Sequence, residues 1–298
     1  MALSSIFNAM KLEGYVVAPL EKYLLSLDAK DSDRALDVNA PSSVGQCLRA
    51  RYYSRTGAPC DVGAVDARTR RIFDNGTGVH ERLQNYMKNM GLLLQDEVPI
   101  INYTYNIQGH TDGILKLSPV ELGVLEIKSI NSRNFSELKS EKPEHKKQGL
   151  VYLYCLEQRR LALHKAYATE KEFLKSRAFR RINFKKRYSY FKDGSKFTAE
   201  EKQQFQIELC MKTDELLFHC NKPITKVIFL YENKDTQDLK EYCVSSTEAG
   251  SKEVIDTFLK EFEMLNFAVE EKNVPPREGR CKSDSLCRWC NYKTECWN

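Results

Sequence analysis

The stretch GHTDGILKLSPVELGVLEIKS at residues 109–129 constrains the fold more than any other part of the chain. It predicts two strands joined by a turn, with Pro119 and Gly123 as the turn residues. Residues two apart on a strand share a face. Glu126 and Lys128 therefore project together, while Leu125 and Ile127 enter the opposite, apolar face. A hairpin here sets Asp112 beside Glu126. Two carboxylates and an ammonium at one spot carry a high desolvation cost unless a cation and an anionic substrate complete the site.

The rest of the chain predicts elements that frame this hairpin. Apolar residues at helical spacing mark helices at 18–30, 40–57 and 76–91, the second with Pro41 and Ser42 or Ser43 at its start and Gly57 at its stop. Strands follow at 92–101, 105–117 and 121–130, and Pro143 opens a strong helix, PEHKKQGLVYLYCLEQ. Residues 160–222 are polar and mixed, with a helix at 198–218. A strand, turn and strand then occupy 225–246, with 235–238 in the turn, and a helix covers 247–267. The order of helix, three strands, helix and two strands reads as one α/β domain. With 298 residues, 42% of them hydrophobic and 10% aromatic, the chain can bury a real core. It has no apolar run of membrane-spanning length, and MALSSIFNAMKLEGY lacks a secretory leader's charged start and cleavage site. A soluble, cytoplasmic protein without membrane contact is expected. The net charge of +5 permits a polyanionic partner without demanding one.

Other chemistry-bearing residues fall into short motifs. His80 closes a GxxxH pattern that starts at Gly76, and Gln148 and Tyr152 stand four apart on one helix face, with His145 three before Gln148. Each alone has a bland reading, since ExK pairs are common on solvated faces and a helix histidine is more often structural than a ligand. In order, GxxxH, GHTDG, EIK and QGLVY resemble the PD-(D/E)XK nucleases of the RecB-like branch. Within it they are most similar to the CRISPR-associated iron–sulfur exonuclease family and its phage-encoded relatives. The resemblance covers residues 42–155 and, independently, the C-terminus; nothing is carried over to 160–222.

That resemblance implies an α/β restriction-endonuclease-like core, a mixed sheet flanked by helices, with an N-terminal helical region and a C-terminal iron–sulfur segment. The division it implies is 1–60 for the N-terminal helices, 61–160 for the nuclease core, 161–222 for a mostly helical basic insertion, 223–270 for the remaining core and 271–298 for the cluster segment. It further implies that Asp112, Glu126, His80 and the main-chain carbonyl of Ile127 hold a divalent cation at the scissile phosphate. Lys128 would position the attacking water, and Gln148 and Tyr152 would hold the DNA strand or the lysine. Oxygen ligands suit Mg²⁺ or Mn²⁺, and the added imidazole favours Mn²⁺.

The ten cysteines are unevenly spread, with Cys281, Cys287, Cys290 and Cys296 in the last eighteen residues. Cys287, Cys290 and Cys296 form C-x2-C-x5-C, which needs a fourth ligand for zinc or an iron–sulfur cube. Spacing leaves Cys281 and Cys47 both open, and zinc beside iron. In the RecB-like iron–sulfur nucleases a lone upstream cysteine followed by an arginine completes the cluster. The resemblance thus implies a 4Fe–4S cluster on Cys47, Cys287, Cys290 and Cys296. Such a link would close a loop of about 240 residues and remove much unfolded-state entropy. Cys60, Cys155, Cys210, Cys220 and Cys243 stand singly and suit buried apolar positions.

Residues 175–192, KSRAFRRINFKKRYSYFK, carry eight basic and no acidic side chains among five aromatics. That composition suits a groove for single-stranded nucleic acid. The chain has no G-x-x-x-x-G-K-[ST] loop and so no motor, which leaves unwinding to a helicase, recombinase or integrase partner or to fraying ends. The oligomeric state is open, a homo-oligomer included. The expected function is a metal-dependent DNA exonuclease acting on ends or single strands, in the cytoplasm or, if phage-encoded, the host cytoplasm. The alternatives are DNA-end processing in CRISPR spacer acquisition, and a catalytically idle DNA-binding module with a structural cluster.

Overall fold

Five runs of aliphatic and β-branched residues become the strands of one sheet. The computed structural model describes residues 15–26, 37–61, 66–178 and 199–298. In chain order come α1 (Val17–Ser26), a short 3-10 helix (Pro41–Ser43), α2 (Leu48–Thr56), α3 (Ala67–Asn89), β1 (Leu93–Asn102), β2 (Ile107–Ser118) and β3 (Glu121–Ile130). Then follow α4 (Ser132–Glu137), α5 (Pro143–Ala166), α6 (Glu170–Ala178), α7 (Ala199–Cys220), β4 (Ile224–Asn233), β5 (Leu239–Ser245), α8 (Ser251–Glu270), α9 (Ser285–Arg288) and α10 (Lys293–Trp297). The strands lie in sequence order, β1 to β5. β1, β2 and β3 form an antiparallel meander, β4 runs parallel to β3, and β5 returns antiparallel to β4. A parallel neighbour requires a crossover, and the chain from α4 to α7 supplies it. The mixed sheet flanked by helices is the α/β architecture expected from the sequence.

Helices cover both faces of the sheet. On one, Leu150, Val151 and Leu153 of α5 and Phe258 and Phe262 of α8 pack with Val98, Ile100, Ile114, Leu122 and Val124. On the other, Val79, Leu83 and Met87 of α3 pack with Leu93, Leu115, Leu125 and Ile127. Each such buried side chain contributes about 1.5–3 kcal/mol. Gly149 sets the closeness of α5 to β4, because a Cβ there would stand 2.7 Å from Phe229 and 2.8 Å from Val227. α5 begins at Pro143, whose missing N–H costs nothing in a first turn.

Two helices depart from the sequence expectation. α3 starts at Ala67, not near residue 76, because Asp66 caps it by accepting from the Thr69 N–H. Gly76 and Gly78 therefore lie inside a helix and do not form a flexible approach to His80; the cap and the buried stripe outweigh a glycine cost of about 1 kcal/mol each. The helix expected over 40–57 is broken by Gly45 at φ 88°, and α2 begins only after Cys47. Its end at Gly57, φ 69°, is as expected. Residues 179–192 of the basic stretch and 27–30 of the first expected helix lie outside the described residues. Among the described residues, no helix is long and apolar enough to cross a membrane.

Candidate active site

The site forms where β2 and β3 part. Their ladder runs from the turn to the Gly113–Leu125 pair. Beyond it, side chains replace backbone partners: Asp112 Oδ2 accepts from the Ile127 N–H at 2.5 Å, and Thr111 Oγ1 donates to Leu125 O at 2.7 Å. The Asp112 carboxylate thus sits in the opening between two strands. α3 brings His80 to it, with Nδ1 3.1 Å from Asp112 Oδ1.

Across the opening, Lys128 Nζ lies 2.8 Å from Glu126 Oε2 and 3.4 Å from Gln148 Oε1. Gln148 Nε2 in turn donates to Tyr152 OH at 2.7 Å. Residues 80, 112, 126, 128, 148 and 152 are therefore brought together from one helix, two strands and a second helix. Ile127 meets the site through its amide N–H to Asp112. His145 stands apart from this chain of contacts, its Nδ1 2.8 Å from Tyr231 OH. Burial, then the Lys128 charge, pushes its pKa down to about 4.

Charge in the pocket is poorly balanced. Glu126 is 2% exposed, and burial raises its carboxyl pKa although the Lys128 charge opposes the shift. Burial also works against the Lys128 charge, but Glu126 and Asp112 outweigh it and the ammonium is held above its ordinary range. The lysine faces two carboxylates, whereas Glu126 faces Asp112 as well as the lysine, so the carboxyl is the group that yields. Thr111 Oγ1 lies 2.7 Å from Leu125 O and 3.0 Å from Glu126 Oε1, and its single proton serves one at a time. At His80, burial lowers the pKa, but the Asp112 hydrogen bond and charge reverse the shift and raise it.

Sequence patterning does not reveal two further members. Gln84 of α3 donates through Nε2 to Glu97 Oε1 at 3.1 Å and to Asp112 O at 2.9 Å. Burial pushes the Glu97 carboxyl up to about 7, against that hydrogen bond. Among the described residues, no three His, Cys, Asp or Glu side chains stand at the spacing of one bound ion. The carboxylate oxygens are instead occupied by the Ile127 N–H, the Lys128 ammonium and the Thr111 hydroxyl. The donor set of one imidazole and two carboxylates nonetheless fits a hard divalent cation, which would offset the charge that burial disfavours at Glu126.

A second constellation closes the C-terminus onto α2. Cys47, Cys287, Cys290 and Cys296 line one small cleft. Cys281 is exposed, with its sulfur 3.2 Å from Ser283 Oγ, and is not among the lining residues. Gly279 leaves room at the cleft wall, since a Cβ there would stand 2.4 Å from Cys287 Sγ. The segment around α2 and the C-terminal segment are also tied directly. The Leu48 N–H donates to Glu278 Oε1 at 2.6 Å, the Asp61 N–H to Asn291 O at 2.7 Å, and the Thr294 N–H to Asp61 Oδ2 at 2.8 Å. Burial holds the Cys47 thiol up, against backbone hydrogen bonding from Ala50. Four thiols line one cleft, a donor set whose chemistry suits an iron–sulfur cluster or zinc, although they do not stand at the spacing of one bound ion.

No family model matches the sequence, and no curated protein does. Two solved structures to which the chain is similar are SSO0001, at 15% identity and TM-score 0.42 over 96% of this chain and 97% of that one, and an alkaline exonuclease, LHK-Exo, from Laribacter hongkongensis. The latter is 13% identical with TM-score 0.40, over 80% of this chain and 94% of that one.

Proposed function

We propose that this chain is a divalent-cation-dependent nuclease that hydrolyses phosphodiester bonds at DNA ends or in single strands. The observation that carries the reading is the meeting of His80, Asp112, Glu126 and Lys128 at the parting of β2 and β3. Asp112, Glu126 and His80 would hold the cation; when bound, it supplies Lewis-acid polarisation of the phosphoryl group and lowers the pKa of an attacking water. Lys128 keeps its proton because two carboxylates face it, so it acts as a cation and not as a base. Its charge neutralises what develops on the phosphoryl oxygens. Gln148 steers the ammonium, and Tyr152 fixes Gln148 by accepting its Nε2 hydrogen. Thr111 holds Glu126 from the other side. Asp112 orients the His80 imidazole and favours its protonated state; neutral His80 is the form that would ligate, so ligation would require His80 to release that proton.

Cys47, Cys287, Cys290 and Cys296 would hold a 4Fe–4S cluster whose role is structural, joining α2 to the C-terminal segment. The test is a time course on end-labelled single- and double-stranded DNA with Mn²⁺ or Mg²⁺. Asp112→Asn and Glu126→Gln should each lower cleavage at least about a hundredfold. No cleavage by the parent protein, or undiminished cleavage by the Glu126 variant, would reject the reading.

A further inference from the structure

A third carboxylate faces the same pocket from an unusual backbone. Glu97 stands opposite Asp112, because Asp96 pairs with Gly113 and Val98 with Thr111. Its φ is 46°, a left-handed conformation that strains an L side chain and that glycine or asparagine adopts more readily. Among the described residues, the other non-glycine positions with positive φ, Asn106, Asn221, Gln237 and Lys272, all lie in connections between elements, whereas Glu97 lies inside a strand. In a regular strand Asp96 and Glu97 would point to opposite faces. Here both turn to α3, Asp96 onto Lys88 Nζ at 2.5 Å and Glu97 onto Gln84 Nε2 at 3.1 Å. The buried Gln84 amide also holds the main-chain oxygen of Asp112, so one side chain fixes the spacing of both acids.

We propose that Glu97 is a further residue of the cation site, contributing a carboxylate on the His80–Asp112 side of the pocket. The inference rests on the nuclease reading above. A glutamate held in a strained strand conformation, beside another carboxylate and with one amide hydrogen for a partner, adds negative charge where a protein interior disfavours it. A divalent cation offsets that charge. The Gln84 bridge explains how Glu97 is aimed; it does not explain why an acid occupies a position where asparagine or glycine would sit with less strain.

The test is calorimetric titration of the cation-free protein with Mn²⁺, together with melting curves with and without Mn²⁺. Glu97→Gln keeps the size of the side chain, and Glu97→Gly also relieves the backbone. Both should bind Mn²⁺ at least about tenfold more weakly, while Asp96→Asn binds as the parent does. The glycine variant should melt higher than the parent without cation and gain less on Mn²⁺ addition, a combination that a purely structural Glu97 would not give. If Asp112→Asn weakens Mn²⁺ binding and neither Glu97 variant does, the proposal fails and the nuclease reading stands. If Asp112→Asn also leaves binding unchanged, the cation reading of the whole pocket falls and takes Glu97 with it.

Discussion

Replacing Lys128 with methionine isolates the charge balance of the pocket. The change keeps an unbranched side chain but removes the ammonium 2.8 Å from Glu126 Oε2, whose side chain is 3% exposed. Stranding one charge of a buried pair costs about 3–5 kcal/mol when that charge cannot be neutralised. Glu126 can be neutralised by a proton, and its pKa is already raised by burial; losing Lys128 removes an opposing influence and raises it further. A carboxyl whose folded pKa lies above its unfolded value, about 4.3, favours the fold below that unfolded value. That contribution is lost as pH rises through the folded pKa. Because burial holds the Glu126 carboxyl up, its protonated form gains at pH 5 in both proteins, and there the variant should lag by little more than a lost hydrogen bond, about 1 kcal/mol. At pH 8 the lag should reach about 3 kcal/mol, which at about 2 °C per kcal/mol for a chain of this size is a melting-temperature drop of about 6 °C. Melting curves in chelator at the two pH values measure this directly. Equal deficits at pH 5 and pH 8 would refute the reasoning, because the pair would then not be held by charge. Added Mn²⁺ should recover part of the pH 8 deficit while DNA cleavage stays lost.

The remaining expectations concern ligation. His80→Ala should lose most DNA cleavage and regain part of it at raised Mn²⁺, and unaffected cleavage would remove His80 from the site. Mn²⁺ affinity, measured by titration between pH 6 and pH 8, should rise with pH, because the raised pKa values of His80 and Glu126 mean that both must release protons before they ligate. Protein purified without oxygen should be brown with about four irons per chain. Cys47→Ser and Gly279→Ala should bleach it, the latter because its Cβ would stand 2.4 Å from Cys287 Sγ, whereas Cys281→Ser should keep the colour.

Much of the frame was legible because it depends on local signals. Period-two patterning with Pro119 gives β2, β3 and their turn, and Pro143 gives the start of α5, whereas Gly123, expected in the turn, lies inside β3 opposite Leu115. Spacing alone leaves Cys47 and Cys281 both open; that Cys47 lines one cleft with Cys287, Cys290 and Cys296 follows from α2 lying against the C-terminal segment, which spacing does not show. The break at Gly45 and the early start of α3 were missed for one reason. A glycine reads alike whether it ends a helix, sits inside one, or turns the chain at positive φ, and only the neighbouring cap and packing decide.

The pocket itself shows where local reading stops. Strand alternation correctly groups Glu126 with Lys128, since both side chains meet. It does not foresee that the β2–β3 ladder ends at Gly113 and Leu125, after which Asp112 takes a backbone N–H and faces α3. Alternation sends Asp96 and Glu97 to opposite faces, and a single positive φ overturns it at the position opposite Asp112. Such a departure leaves no mark in composition or periodicity, because any residue can stand at position 97 of a written sequence. It is visible only as a cost: an acid where the backbone favours glycine. That cost makes Glu97 informative, since nothing in packing or in strand pairing requires a carboxylate at that position.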